Sequence, residues 1–326
     1  MKYEEIKKLP PLIKDYLEYT EATKGHSQLT VLEYASDLRT FLRFILVYKG
    51  CISADVSWDS FDFSSIDEEF FKEISLSDAN QFILYCKNER KNNEKTRARK
   101  VIAIRRFFNY LTMNKCLLSD NPMKALELPK QKKALPKYLT LDESLLLLQA
   151  IDGPFKERDY CIITLFLNCG LRLSELVNID YSDIDSDHVL TVLGKGNKER
   201  NVYLNGACMD AIQKYMEVRP KDAVKQADKK ALFLSSRNQR ISPKTVQHLV
   251  NEYLEKAGLG GRGLSVHKLR HTAATLMYQH GNVDVLVLKD ILGHENLGTT
   301  EIYTHIASEQ TKKALDANPL SKIKHS

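Results

Sequence analysis

The sequence predicts a mainly α-helical protein of two domains, with one small β-hairpin in the second. Three observations carry that prediction. The chain has 326 residues, more than one ordinary compact domain. Apolar residues return at three- and four-residue intervals along most of its length, the period of an amphipathic helix. A proline-bounded basic stretch, Pro129-Lys130-Gln131-Lys132-Lys133-Ala134-Leu135-Pro136-Lys137, breaks that pattern before the midpoint. The expected division is a helical domain over 1–128, a linker over 129–138 and a second domain over 139–326.

The first domain reads as helices in series. Leu12, Ile13, Tyr16 and Leu17 form one apolar face, and Leu32, Leu38, Phe41, Leu42, Phe44 and Ile45 form a second. The segment 50–77 is an acidic loop with room for a short helix around 68–73. Two further helices are expected over 76–92 and 94–113. In the latter, Val101, Ile104, Phe108 and Leu111 make a stripe suited to core packing.

The second domain opens on a helix start. Thr140-x-x-Glu143 has the capping-box spacing ahead of Leu145–Leu148. A strongly apolar helix follows near 157–167. Alternation over 188–193 and 199–204, around Gly194-Lys195-Gly196-Asn197-Lys198, predicts a hairpin with a basic tip. From Ala207 onward the pattern is again mostly helical.

Composition narrows the function classes. Apolar residues make up 43% and charged residues 28%, which suits a water-soluble globular chain. No run approaches the ~18 apolar residues of a membrane span, and the N-terminus lacks a signal-peptide pattern. The six cysteines are scattered without a Cys-x-x-Cys pair, an arrangement that fits reduced thiols in a cytoplasm. The net charge of +6 says less than its placement: residues 79–133 carry fourteen basic side chains against four acidic ones. Lys87, Arg97, Lys100, Arg105, Lys130, Lys132 and Lys133 are the band members expected to meet double-stranded DNA, displacing counterions from its backbone.

Five segments of the second domain hold polar residues that a plain core would not need. They are Gly170-Leu171-Arg172-Leu173-Ser174-Glu175-Leu176, Gly194-Lys195-Gly196, His267-Lys268-Leu269-Arg270-His271, Leu292-Gly293-His294 and Tyr303-Thr304-His305. Each has an ordinary explanation alone; a surface ion pair would account for Arg172 and Glu175. As a set they match one chemistry. Attack on a phosphodiester builds negative charge that preorganised donors must offset, and two guanidiniums can each give paired hydrogen bonds to phosphate oxygens. Histidines exchange protons near neutral pH, a lysine on a hairpin tip can protonate a leaving oxygen, and a tyrosine can attack phosphorus. The set contains no carboxylate cluster with metal-ligand spacing, which argues against a two-metal nuclease, and no cofactor is implied.

These five motifs, in order and spacing, resemble the signature of the tyrosine recombinases, also called the phage-integrase family. The resemblance covers about 139–320; the first domain resembles, more loosely, that family's SAM-like core-binding domain. It implies that Arg172, Arg270 and His294 hold the scissile phosphate and that Lys195 protonates the 5′ oxygen. It further implies that His267 assists proton transfer, Glu175 supports the site and Tyr303 is the nucleophile. His271 and His305 fall beside the motifs and are set aside as structural. Within the family the length is most similar to that of the Xer recombinases, which resolve chromosome or plasmid dimers. This implies a homo- or hetero-tetramer on two duplexes, joined through a C-terminal tail, with an accessory or translocase partner compatible with that role. The acidic stretch 50–78 departs from the simplest Xer pattern, so a mobile-element integrase stays open as an alternative. A type IB topoisomerase and a non-enzymatic DNA-binding protein are the competing readings from other classes.

Overall fold

A computed structural model describes residues 3–56, 62–130, 137–194, 199–221, 225–281 and 283–293. The chain divides into two compact units, Met1–Lys133 and Ala134–Ser326. Among the described residues no helix is long and apolar enough to cross a membrane.

The first unit is helical: α1 (Tyr3–Ile6), α2 (Pro11–Ala22), α3 (Gln28–Tyr48), α4 (Glu68–Lys72), α5 (Leu76–Asn88) and α6 (Glu94–Met113). Short polar side chains set most of the starts. Ser27, Asp67, Ser75 and Asn93 each accept a backbone N–H from the first turn of the helix that follows, satisfying a donor that the helix cannot. The apolar faces of α2, α3, α5 and α6 meet around Ile13, Leu38, Phe41, Phe82, Ile104 and Phe108, all buried. Helix α5 ends at Asn88, short of the expected residue 92. The N–H groups of Glu89 and Arg90 both turn back to the Tyr85 carbonyl, and Lys91 takes a left-handed φ of 51°.

The second unit contains α7 (Leu141–Gln149), α8 (Lys156–Cys169), α9 (Leu173–Asn178), β1 (Val189–Leu193), β2 (Glu199–Tyr203), α10 (Gly206–Val218), α11 (Pro243–Lys256), α12 (Val266–His280) and α13 (Val285–Leu292). Thr140 and Glu143 form the expected capping box at the start of α7. Helix α8 is the axis of the unit: ten of its fourteen residues are buried, and it packs against both α10 and α12. The two strands pair antiparallel, with Leu190 opposite Val202 and Val192 opposite Arg200.

Gly170 ends α8 with a φ of 58°, a left-handed conformation that carries no steric penalty only without a Cβ. The turn ends α8 and lets the chain begin α9 at Leu173, three residues on. A Cβ at Gly170 would lie 2.8 Å from the Leu292 side chain and 3.6 Å from that of Ala273, so this turn sits against both α13 and α12. Three motifs far apart in sequence thereby converge on one point.

Candidate active site

Arg172 is the N-cap residue of α9, and Glu175 is its third helical position. The spacing builds a capping box of an unusual kind: the Arg172 N–H donates to Glu175 Oε2 at 2.7 Å, and Arg172 Nη1 donates to Oε1 at 2.6 Å. Glu175 is fully buried, whereas the Arg172 side chain keeps 30% of its surface exposed. The same residues thus start the helix and leave part of an arginine side chain open to solvent.

Arg270 arrives on α12 and is buried. Its Nη1 donates to the Gly170 carbonyl at 2.6 Å and lies 3.9 Å from Glu175 Oε2, and its Nη2 donates to the carbonyl of Leu292. Arg172 Nη2 donates to the next carbonyl, Gly293, at 2.6 Å. The last carbonyls of a helix lack partners within it, and the negative end of the helix favours cations. Two guanidiniums therefore cap the C-terminus of α13, immediately before His294.

A third guanidinium completes this arrangement, and the sequence reading missed it. Arg200 of β2 donates through Nη2 to Glu175 Oε2 at 2.7 Å, through Nε to Oε1 at 3.3 Å, and through Nη1 to the Ile291 carbonyl at 2.5 Å. One signal could have revealed it. In a hairpin, Arg200 shares a face with the apolar Val202, two positions on, and an arginine on an inward face must find a buried acceptor.

Burial alone would raise the Glu175 carboxyl. Hydrogen bonds and charge from Arg200, followed by hydrogen bonds from Arg172, outweigh that effect and hold it below its ordinary range. Glu175 is accordingly an anion that draws three cations together and offsets only one of them.

His267 stands one helical turn before Arg270. Its Nε2 lies 3.1 Å from Nε2 of His271, so one imidazole donates to the other. His271, set aside in the sequence reading, is therefore in contact with a site residue. Desolvation of the ring's packed side, then the charges of Lys268 and Arg270, hold the His267 imidazole below its usual value, which favours its neutral form. Arg172, Ser174, Gln247, Asn251, His267 and Arg270 are among the residues lining a cavity of about 650 Å³.

The structure brings Arg172, Glu175, His267 and Arg270 together; Lys195, His294 and Tyr303 lie outside the described residues. Of the basic band, Lys87 and Lys130 are exposed, Arg97 and Arg105 are half-buried, and Lys132 and Lys133 lie outside the described residues. Lys100 requires a correction. It is buried, with Nζ 2.8 Å from the equally buried Asp37, and so cannot serve the DNA surface. On α6 it falls in line with Ala103 and Phe107, at positions i, i+3 and i+7, and both of these are core residues.

Comparison with known proteins places the chain in a family. Residues 137–310 match the phage integrase family. The chain is 51% identical over 321 residues to tyrosine recombinase XerC of Caldanaerobacter subterraneus subsp. tengcongensis, spanning 98% of this chain and 90% of that one. Its fold is similar to that of the XerH site-specific recombinase bound to palindromic difH substrate, with 20% identity, a TM-score of 0.68 and 94% of each chain covered. It is also similar to that of lambda integrase in a tetramer bound to a Holliday junction, at 18% identity and a TM-score of 0.65, covering 87% of this chain and 76% of that one. With that family match over more than half of its length and a relative 51% identical along nearly all of it, the chain belongs to the phage integrase family, the tyrosine recombinases.

Proposed function

We propose that this protein is a site-specific DNA recombinase that cuts and rejoins strands through a 3′-phosphotyrosine at Tyr303. The observation that carries the reading is the pair Arg172 and Arg270, tied to one buried carboxylate and lining the cavity that also holds His267. Two forked cations around one site suit the two nonbridging oxygens of a phosphodiester under attack.

In this reading the Tyr303 phenol oxygen bonds to phosphorus as the bond to the 5′ oxygen breaks. Arg172, Arg270 and His294 hold the nonbridging oxygens. The phenol proton passes to His267, whose surroundings favour the neutral form able to accept it, and Lys195 delivers a proton to the departing 5′ oxygen. The phosphodiester energy is retained in the phosphotyrosine, so a 5′ hydroxyl can reverse the step and reseal the strand, and nothing in this balance requires a cofactor.

The similarity to XerC favours resolution of chromosome or plasmid dimers by a tetramer of recombinase protomers, identical or of two kinds, on two duplexes. The exposed Lys87 and Lys130, together with Lys132 and Lys133, would then track the phosphate backbone. The tail after Ser308 would dock on a neighbouring protomer, a heterologous contact that closes into a ring.

A duplex nicked beside the cleavage point tests the core of this reading, because the released fragment diffuses away and traps the adduct. Wild-type protein is expected to form a covalent complex in EDTA, whereas Tyr303→Phe binds DNA and forms none. An adduct of equal yield from Tyr303→Phe would remove the assignment. Truncation after Ser308 is expected to spare single-site binding and weaken synapsis; normal tetrameric synapses from the truncated chain would rule out tail exchange.

A further inference from the structure

Arg200 is a site cation for which the proposed chemistry has no role. It stands on β2, and its side chain is 12% exposed, against 30% for Arg172. Three of its nitrogens are directed inward, two to Glu175 and one to the Ile291 carbonyl. We propose that Arg200 is a positioning residue. From β2 it clamps Glu175 and the C-terminal end of α13, and so fixes the aim of Arg172 and Arg270. The inference rests on the phosphoryl-transfer reading above.

The geometry supports it in two ways. Three consecutive carbonyls, Ile291, Leu292 and Gly293, accept from Arg200, Arg270 and Arg172 in that order, so the guanidiniums are ranked along one helix end. Gly293, with a φ of 62°, lies so close that a Cβ there would stand 2.8 Å from Arg200 Cδ and 3.7 Å from Arg172 Nη1. Arg200 therefore packs against the backbone that leads into His294, and a shift of this side chain displaces the support of both neighbours. Misplacement of about an ångström in such a constellation is enough to cost orders of magnitude in rate.

Electrostatics points the same way. Among the described residues, the charged groups facing Glu175 are Arg172 from its own helix, Arg200 from β2 and Arg270 from α12. Arg200 supplies the strongest effects opposing the burial of that carboxyl. Without it, Glu175 takes up a proton more readily, and a protonated Glu175 accepts more weakly from the N–H and the guanidinium of Arg172.

Arg200→Met and Arg200→Lys distinguish positioning from a DNA contact. DNA affinity and the first-order cleavage rate at saturating protein are measured on a nicked trapping duplex, from acid to neutral pH. Arg200→Met is expected to bind DNA as the wild type does and to cleave at least about tenfold more slowly. It is also expected to add a second acidic limb to that of His267, with the rate falling further as pH drops through a Glu175 pKa no longer held down by Arg200. Arg200→Lys restores a cation and abolishes that second limb, leaving the one that belongs to His267. It keeps a severalfold rate loss, because one ammonium cannot reach both carboxylate oxygens and the Ile291 carbonyl. A Met variant with the wild-type rate and profile overturns the proposal, as does one whose only defect is weaker binding. If the Met variant does not fold, the Lys variant decides: an intact melt with slow cleavage supports positioning, and a wild-type rate overturns it. Absence of any adduct from the wild type overturns the recombinase reading together with this one.

Discussion

Arg172 donates a 2.6 Å hydrogen bond to the carbonyl of Gly293, a residue 121 positions further along the chain. That bond joins the first polar motif of the second unit to its fourth. It also means that the guanidinium is oriented by protein before any DNA arrives, which reduces the reorganisation left for the chemical step.

The first prediction concerns the fork geometry of the arginines. Arg172→Ala and Arg270→Ala are each expected to cost about 3 kcal/mol of transition-state stabilisation, or roughly a hundredfold in cleavage rate. Lysine should recover little, because it cannot hold Glu175, a helix carbonyl and a phosphate oxygen from one planar group. Single-turnover cleavage of a nicked duplex measures both substitutions. An Arg172→Lys variant with a near-normal rate would contradict the bidentate account.

The second concerns pH. Because the folded protein holds His267 below its ordinary value, the unfolded chain binds the proton more readily. The contribution of this residue to stability is therefore complete above pH ~6.5 and is lost as pH falls through the lowered folded value. Cleavage that uses neutral His267 should fall over the same acid range. His267→Asn should remove that limb from the pH–rate profile, while a limb unchanged in the variant would assign it to another group.

Gly170 offers a backbone test. Alanine there meets a left-handed φ of 58° and the Leu292 side chain at 2.8 Å. The expected cost is about 1–2 kcal/mol of stability from the conformation alone. A loss of cleavage should accompany it, because the Gly170 carbonyl anchors Arg270. Thermal unfolding and cleavage rates together check this; full activity in a stable Gly170→Ala variant would show that the turn does not position the arginine.

The fourth prediction separates two kinds of lysine. Lys100→Ala removes the buried partner of Asp37, leaving it only the more exposed Arg99, and should destabilise the first unit by about 3 kcal/mol, with the salt dependence of DNA binding unchanged. Replacing Lys130, Lys132 and Lys133 together by alanine should do the reverse. Stability should hold, affinity should fall for all sequences alike, and the slope of affinity against salt should flatten. Denaturant titration and binding isotherms at several salt concentrations measure each; a flattened salt slope for Lys100→Ala would put that residue back on the DNA surface.

What could be read from the sequence was whatever is local. The Thr140–Glu143 cap, the Gly170 turn, the Arg172–Glu175 spacing and the hairpin strands all depend on neighbours within a few residues, and the structure has each of them. What escaped depended on distant partners. Lys100 looks like any surface cation until Asp37, 63 positions away, is placed beside it. Arg200 lacks a visible reason until Glu175 and Ile291 close around it from two other elements. The end of α5 was misplaced because polar residues 89–92 fit a helix pattern as well as they fit the turn that precedes the Asn93 cap of α6.

The run of carbonyls at the end of α13 bears on the safety of the reaction. A phosphotyrosine is open to hydrolysis, and a water molecule that attacked it would leave a broken strand with no way to reseal. Helix C-termini ordinarily satisfy their last carbonyls with solvent, so a helix ending beside the scissile phosphate would bring ordered water to the place where it does most harm. Here the carbonyls of Ile291, Leu292 and Gly293 are taken by arginine side chains. Under the proposed function, the two arginines assigned to the phosphate and the arginine that positions them would thus occupy sites to which a competing water would bind, and the same hydrogen bonds would serve both the aim of the cut and the integrity of the strand.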